Sequence, residues 1–243
     1  MERTRISTGV HGLDEKMQGG FYDGSANLIT GKTGTGKTSF CASFLRHGAL
    51  INEPGVYVTT EQRVDDIKGD INATFGWDME GLEKKGLIKF LAIQPVFPNR
   101  AVTLDDINKI IKTYIYDILE KIKASITEVN AKRIAVDSIS IIEMFIRDEY
   151  LSRVAMMQLV ENLKKMKVTS LLSGTIPETS EALSGGGIVE FIVDTVIKLD
   201  FVPVAEEFKR TLTIRKMRRT DHSTMIHPFE IAKFGLKIIE IEG

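Results

Sequence analysis

Short apolar runs alternate with segments of helical spacing along most of the chain. Ser25 to Thr30, Val56 to Thr60, Ile88 to Ile93, Arg133 to Asp137 and Val168 to Ser173 read as strands. Helices are expected over Thr38 to Ile51, Asp65 to Phe75 and Leu151 to Met166, with a longer one starting near Thr103. Thr103 is placed to cap that helix, and Asp105 and Asp106 suit its first turn. Its stripe of Leu104, Ile107, Ile111, Tyr114, Ile118 and Ile122 recurs at helical spacing and reads as a core face. Strands alternating with helices predict an α/β fold with a mostly parallel sheet flanked by helices. After Asp194 the rhythm changes. Val196 to Asp200, Thr211 to Lys216, Thr224 to Ile226 and Leu236 to Ile241 read as strands joined by turns, an antiparallel β extension.

The phosphate chemistry sits at the first strand-to-helix junction. Gly31, Lys32, Thr33, Gly34, Thr35, Gly36, Lys37 and Thr38 match G-x-x-x-x-G-K-[ST], with Ser39 next in the helix. Glycines let the backbone curl so that its N–H groups face phosphate oxygens beside the positive end of a helix. Gly31, Thr33, Gly34, Thr35, Gly36, Lys37, Thr38 and Ser39 are the candidate ATP contacts. Lys37 is expected to reach the β- and γ-phosphates, and the Thr38 hydroxyl to ligate Mg²⁺.

Three further positions fit an ATPase. Asp137 ends an apolar strand, where a carboxylate holds Mg²⁺ in P-loop proteins; the alternative is an Asp merely capping a strand end. Glu61 ends the second strand, where a carboxylate can polarise an attacking water, although a solvated Glu reads the same. Ser173 ends the strand after that of Asp137 and is a candidate γ-phosphate sensor.

Composition narrows the setting. With 43% hydrophobic and 27% charged residues over 243 positions, the chain can bury a sizeable core, and one domain spanning 1–243 is the economical reading. A net charge of −1 leaves any nucleic-acid role to local patches. Cys41 is the only cysteine, so an intramolecular disulfide is excluded, and a small buried residue is expected there. No run approaches the roughly 20 apolar residues of a membrane span, and the polar start lacks a signal-peptide core. A cytoplasmic protein without membrane insertion is expected.

With these motifs in order, the chain resembles the KaiC family of RecA-superfamily P-loop ATPases. Ser7-Thr8-Gly9-Val10-His11-Gly12-Leu13-Asp14, then Gly19-Gly20, then the phosphate loop, resembles the opening of KaiC domains and of archaeal KaiC-like proteins, including the Rad51/RadA paralogues often called RadC. Val56-Tyr57-Val58-Thr59-Thr60-Glu61 is similar to the strand bearing the family's catalytic Glu, and Thr211 to His222 with Pro228-Phe229 to its C-terminal strand and turn. The resemblance implies a RecA-like fold and a homo-oligomer, a hexameric ring or a filament, with ATP at subunit interfaces. It also implies that Lys216 and Arg218 complete the neighbour's site; a solvated basic turn or a nucleic-acid contact is the other reading of that run.

Two departures matter. KaiC carries two adjacent glutamates at the catalytic strand end, and here Gln62 stands in the second place, which points to slow turnover. KaiC has two tandem domains and this chain one, so a clock-like phosphorylation cycle does not follow. DNA or a regulatory protein is a candidate partner. The loop 177–187, where recombinases grip DNA, carries Glu178 and Glu181 but no Lys, Arg or aromatic residue, which argues against strand tracking. Three readings stand: an interface-dependent Mg·ATPase driving an assembly or conformational switch, a non-hydrolysing ATP-ordered scaffold, and a recombination accessory protein that binds single-stranded DNA.

Overall fold

The structure, a computed structural model, describes residues 4–94, 104–146, 148–177, 183, 187–204 and 206–240, with backbone alone at 104–108. The expected cap Thr103, the side chains of Leu104, Asp105, Asp106 and Ile107, the end residue Ile241 and residues 178–182 and 184–186 of the loop lie outside the described set.

The chain opens with β1 (Arg5–Ile6) paired to β2 (Phe21–Tyr22) around a 3-10 turn, Asp14–Met17. Next come β3 (Ala26–Gly31), α1 (Lys37–Leu50), β4 (Gly55–Thr59), α2 (Val64–Phe75), α3 (Met79–Lys84) and β5 (Ile88–Ala92). The middle holds α4 (Leu104–Val129), β6 (Arg133–Asp137), α5 (Ile139–Phe145), α6 (Glu149–Lys165), β7 (Thr169–Thr175) and α7 (Val189–Ile192). The chain closes with β8 (Thr195–Val204), β9 (Glu207–Met217), β10 (His227–Ala232) and β11 (Gly235–Ile238).

Among the described residues, nine strands form one sheet in the order β11-β10-β9-β8-β3-β7-β6-β4-β5. From β8 to β5 every pairing is parallel, and β9, β10 and β11 extend it antiparallel. Every residue of β3, β4 and β6 is buried, as expected of parallel strands covered on both faces. Period-2 alternation sorts their side chains. Ile29, Tyr57, Ala135 and Leu171 pack with α1, α2 and the N-terminal segment, while Leu28, Val56, Val136 and Leu172 pack with α4 and α6. The described part of the α4 stripe faces the second layer: Ile111, Ile118 and Ile122 are buried and Tyr114 half-buried.

The opening motif has a structural role. Asp14 accepts from Ser7 Oγ at 2.6 Å, Thr8 N at 2.9 Å and Thr8 Oγ1 at 2.6 Å, closing the segment into a compact turn. Gly9 has φ +73°, and a Cβ there would lie 2.4 Å from the Ser43 carbonyl of α1, so only glycine fits against the helix. Arg133, at the start of β6, is fully buried beneath the same helix. Its guanidinium donates to Glu53 Oε2 at 2.8 and 2.6 Å, Ser7 O at 2.8 Å and Phe44 O at 3.0 Å.

Some elements differ from the sequence reading. No strand forms at Thr224 to Ile226; Met225 and Ile226 are exposed, and the strand is His227–Ala232 instead. There His227 and Phe229 are buried in alternation, with Pro228 between them at the point where the short pairing of β10 with β9 ends. Three short helices, α3, α5 and α7, were not expected. Asp78 accepts from Gly81 N at 2.8 Å to cap α3, and Asp148 accepts from Leu151 N at 2.8 Å to cap α6, starting it two residues before Leu151.

Candidate functional site

Side chains from α1, from the ends of β6 and β7 and from the loops after β3 and β4 meet at the C-terminal edge of the parallel strands. Gly36 precedes α1 with φ +109° and closes the phosphate loop, presenting the first turn of α1 to a pocket of about 310 Å³. The pocket is lined by Thr33, Gly34, Gly36, Lys37, Thr38 and Ser39 from the loop and helix. Glu61, Asp137, Thr175 and Ile231 complete its wall. Most of the phosphate-loop residues thus line one cavity together with Glu61 and Asp137. Thr35 and Gly31 are set back from it: Thr35 Oγ1 donates to Lys32 O at 2.8 Å and fixes the loop from within.

Lys37 is buried, and its ammonium donates to Gly31 O at 2.9 Å and Lys32 O at 2.8 Å, carbonyls of its own loop. Thr38 Oγ1 donates to Asp137 Oδ2 at 2.8 Å. That carboxylate also accepts from Tyr57 Oη at 2.7 Å on Oδ2 and from Ser173 Oγ at 2.5 Å on Oδ1. Burial, with the Asp137 charge adding to it, pushes the Tyr57 phenol well above its usual pKa, so it is a donor at neutral pH. Glu61 lies two residues past the end of β4, exposed, and its carboxylate accepts from Ser138 Oγ. Ser138 is held in turn by Thr60, whose Oγ1 donates to Ser138 O at 2.7 Å and accepts from Ser138 N at 3.0 Å. Cys41 is fully buried in α1, and desolvation raises its thiol pKa well above the usual value, so it is an inert core residue.

The donor set suits Mg·ATP. A hydroxyl and a carboxylate side by side are hard oxygen ligands of the kind Mg²⁺ takes beside substrate phosphates. The N–H groups at the start of α1 and the Lys37 ammonium suit anionic oxygens.

Three further expected residues, Ser173, Lys216 and Arg218, fall elsewhere. Ser173 is fully buried, does not line the pocket, and bonds Asp137; two residues on, Thr175 reaches the wall. Lys216 and Arg218 lie away from this pocket. Lys216 is level with Val196, which pairs with Leu28 near the start of β3. Its ammonium donates to Glu190 O at 2.8 Å, Phe191 O at 3.2 Å and Val193 O at 2.8 Å, the carbonyls around α7. Burial, with Arg218 nearby, lowers its pKa. Arg218 donates to Phe191 O at 2.9 Å and lies 3.8 Å from Asp194.

Sequence reasoning passed over Tyr57, Ser138, Thr175 and Ile231. Only Tyr57 carried a signal: a phenol inside a fully apolar strand needs a partner for its hydroxyl.

The fold is shared with known proteins. The model of the KaiC ATPase family matches residues 6–243. A UPF0273 protein of Thermotoga maritima is 35% identical over 242 residues, covering 98% of this chain and 97% of the relative. The circadian clock oscillator protein KaiC of a Prochlorococcus marinus strain is 30% identical over 243 residues, 99% of this chain but 46% of that longer protein. A crystal structure of a KaiC-like protein from Pyrococcus horikoshii superimposes with a TM-score of 0.84 at 37% identity, covering 98% of this chain and 100% of that one. The chain belongs to the KaiC ATPase family.

Proposed function

We propose that the chain binds Mg·ATP in the pocket at the phosphate loop and hydrolyses it, with the site completed by a second copy of the chain. The observation that carries this reading is the 2.8 Å contact of Thr38 with Asp137 in a pocket also lined by Lys37 and Glu61. Loop N–H groups and Lys37 bind the phosphate oxygens, Lys37 leaving its two loop carbonyls to do so. Thr38 and Asp137 would hold Mg²⁺, which, when bound, neutralises charge on the phosphate oxygens. Glu61, oriented by Ser138, accepts the proton of the attacking water. Lys216 and Arg218 leave the carbonyls around α7 and meet the neighbour's γ-phosphate, offsetting the charge that develops there. Turnover is thereby tied to assembly into a ring or filament, and ATP acts as an assembly or conformational switch.

The test is ATP turnover measured against protein concentration, with sizing in the presence and absence of Mg·ATP. Specific activity that rises with assembly and disappears in Glu61→Gln, with ATP binding retained, is the expected result. Turnover independent of concentration would remove the composite site, and turnover unchanged in Glu61→Gln would remove Glu61 as base.

A second reading is an ATP-ordered scaffold without hydrolysis. It is favoured by the four carbonyl contacts that Lys216 and Arg218 make within their own chain. ATP-dependent assembly with no phosphate release would select it.

A further inference from the structure

We infer that Tyr57 is a positioning residue for magnesium: its hydroxyl, opposite that of Ser173, fixes the Asp137 carboxylate beside Thr38. The inference rests on the Mg·ATP reading and names a residue on which that site depends. In the sheet β6 lies between β4 and β7, so Asp137 has a neighbouring strand on each side. Leu172 pairs with Val136, which puts Ser173 beside Asp137, close enough for a short hydroxyl to reach Oδ1. On the other side Asp137 pairs with Thr59, and Tyr57 pairs with Ala135, two residues lower. Two residues of strand are about 6.6 Å, a gap that a tyrosine spans and a serine does not. The ring climbs the α1 face of the sheet, stacked on Phe90 at 5.5 Å between centroids and 20° between planes, and delivers its hydroxyl to Oδ2.

One donor on each oxygen stops the carboxylate from rotating about its Cβ–Cγ bond. An ionised carboxylate has about four acceptor positions. Tyr57, Ser173 and Thr38 occupy three, so the remaining capacity is directed rather than free to turn. Tyr57 and Ser173 are both fully buried. Neither touches the pocket, and each acts through Asp137.

The test is isothermal titration of ATP into wild type and Tyr57→Phe over a range of Mg²⁺ concentrations and in EDTA. Phenylalanine keeps the ring on Phe90 and removes only the hydroxyl. Removing the partner of a metal-holding group typically weakens metal affinity 10–100-fold. We expect Tyr57→Phe to need about tenfold more Mg²⁺ for half of the metal-dependent gain in ATP affinity, with metal-free ATP affinity unchanged. Ser173→Ala should move the same way and Ser173→Thr should restore the wild-type value, which decides the matter if Tyr57→Phe does not fold. A wild-type Mg²⁺ dependence in the folded variants overturns the positioning role alone. No Mg²⁺-dependent ATP binding in the wild type overturns this inference together with the reading beneath it.

Discussion

Lys216 holds the carbonyl oxygen of Val193 at 2.8 Å, on the far end of the sheet from its own phosphate loop. On the proposed reading, a cation stowed there serves another copy's nucleotide. In Lys216→Met, concentration-dependent ATP turnover should fall about 100-fold, the order found when one transition-state donor is removed. ATP binding should persist, and stability should drop by about 1 kcal/mol or less, since the lost bonds are partly solvated. Turnover and sizing on the same samples check this, and unaltered turnover would make Lys216 a local clip for α7.

Arg133 should matter more to stability than any group in the pocket. Methionine in its place leaves Ser7 O and Phe44 O without their donor and breaks the pair with Glu53, at a cost of about 3 kcal/mol or more. Glu53→Gln keeps an acceptor and should cost about 1 kcal/mol. Urea unfolding of both variants gives the comparison, and equal midpoints would contradict it.

Gly9→Ala should lower stability by about 1–3 kcal/mol through the strained backbone and the contact with Ser43 O. No residue of this turn lines the nucleotide pocket, so ATP affinity of the folded variant should stay at the wild-type value.

Stability should fall in mild acid. Desolvation lowers the pKa of both His47 and His227 below 6.5, reinforced by Arg133 at the first and Lys16 at the second. Between the folded values and 6.5 the unfolded chain binds more protons, so unfolding becomes easier as pH drops through that window. Above it neither imidazole contributes. Thermal melts from pH 7.5 to 5 should show a declining Tm, with a shallower decline in the His47→Gln, His227→Gln double variant.

Local chemistry made much of this fold legible. The phosphate loop and the apolar strand ending at Asp137 each announce themselves within a few residues, and alternating strands and helices imply the parallel sheet. Contacts set by register were hidden. Tyr57 and Asp137 are 80 positions apart, and only the β4–β6 pairing shows that the phenol reaches that carboxylate. Ser173 read as a pocket residue because strand ends face ligands, but a serine beside a buried carboxylate bonds to the carboxylate first. At β10 the run Thr224 to Ile226 looked more strand-like than His227–Ala232, because Pro228 masks an alternation that Phe229 reveals only once the core is known.

The antiparallel run of β9 gives the molecule a direction. The pocket lies at one end of the sheet and Lys216 at the other, on the face against α7. On the proposed reading, a lesion in Glu61 and a lesion in Lys216 on one chain disable two different active centres, one at each of its borders. Two inactive preparations, Glu61→Gln and Lys216→Met, should therefore rescue each other when mixed. Every junction that draws its pocket from the second variant and its cation from the first is made of wild-type halves.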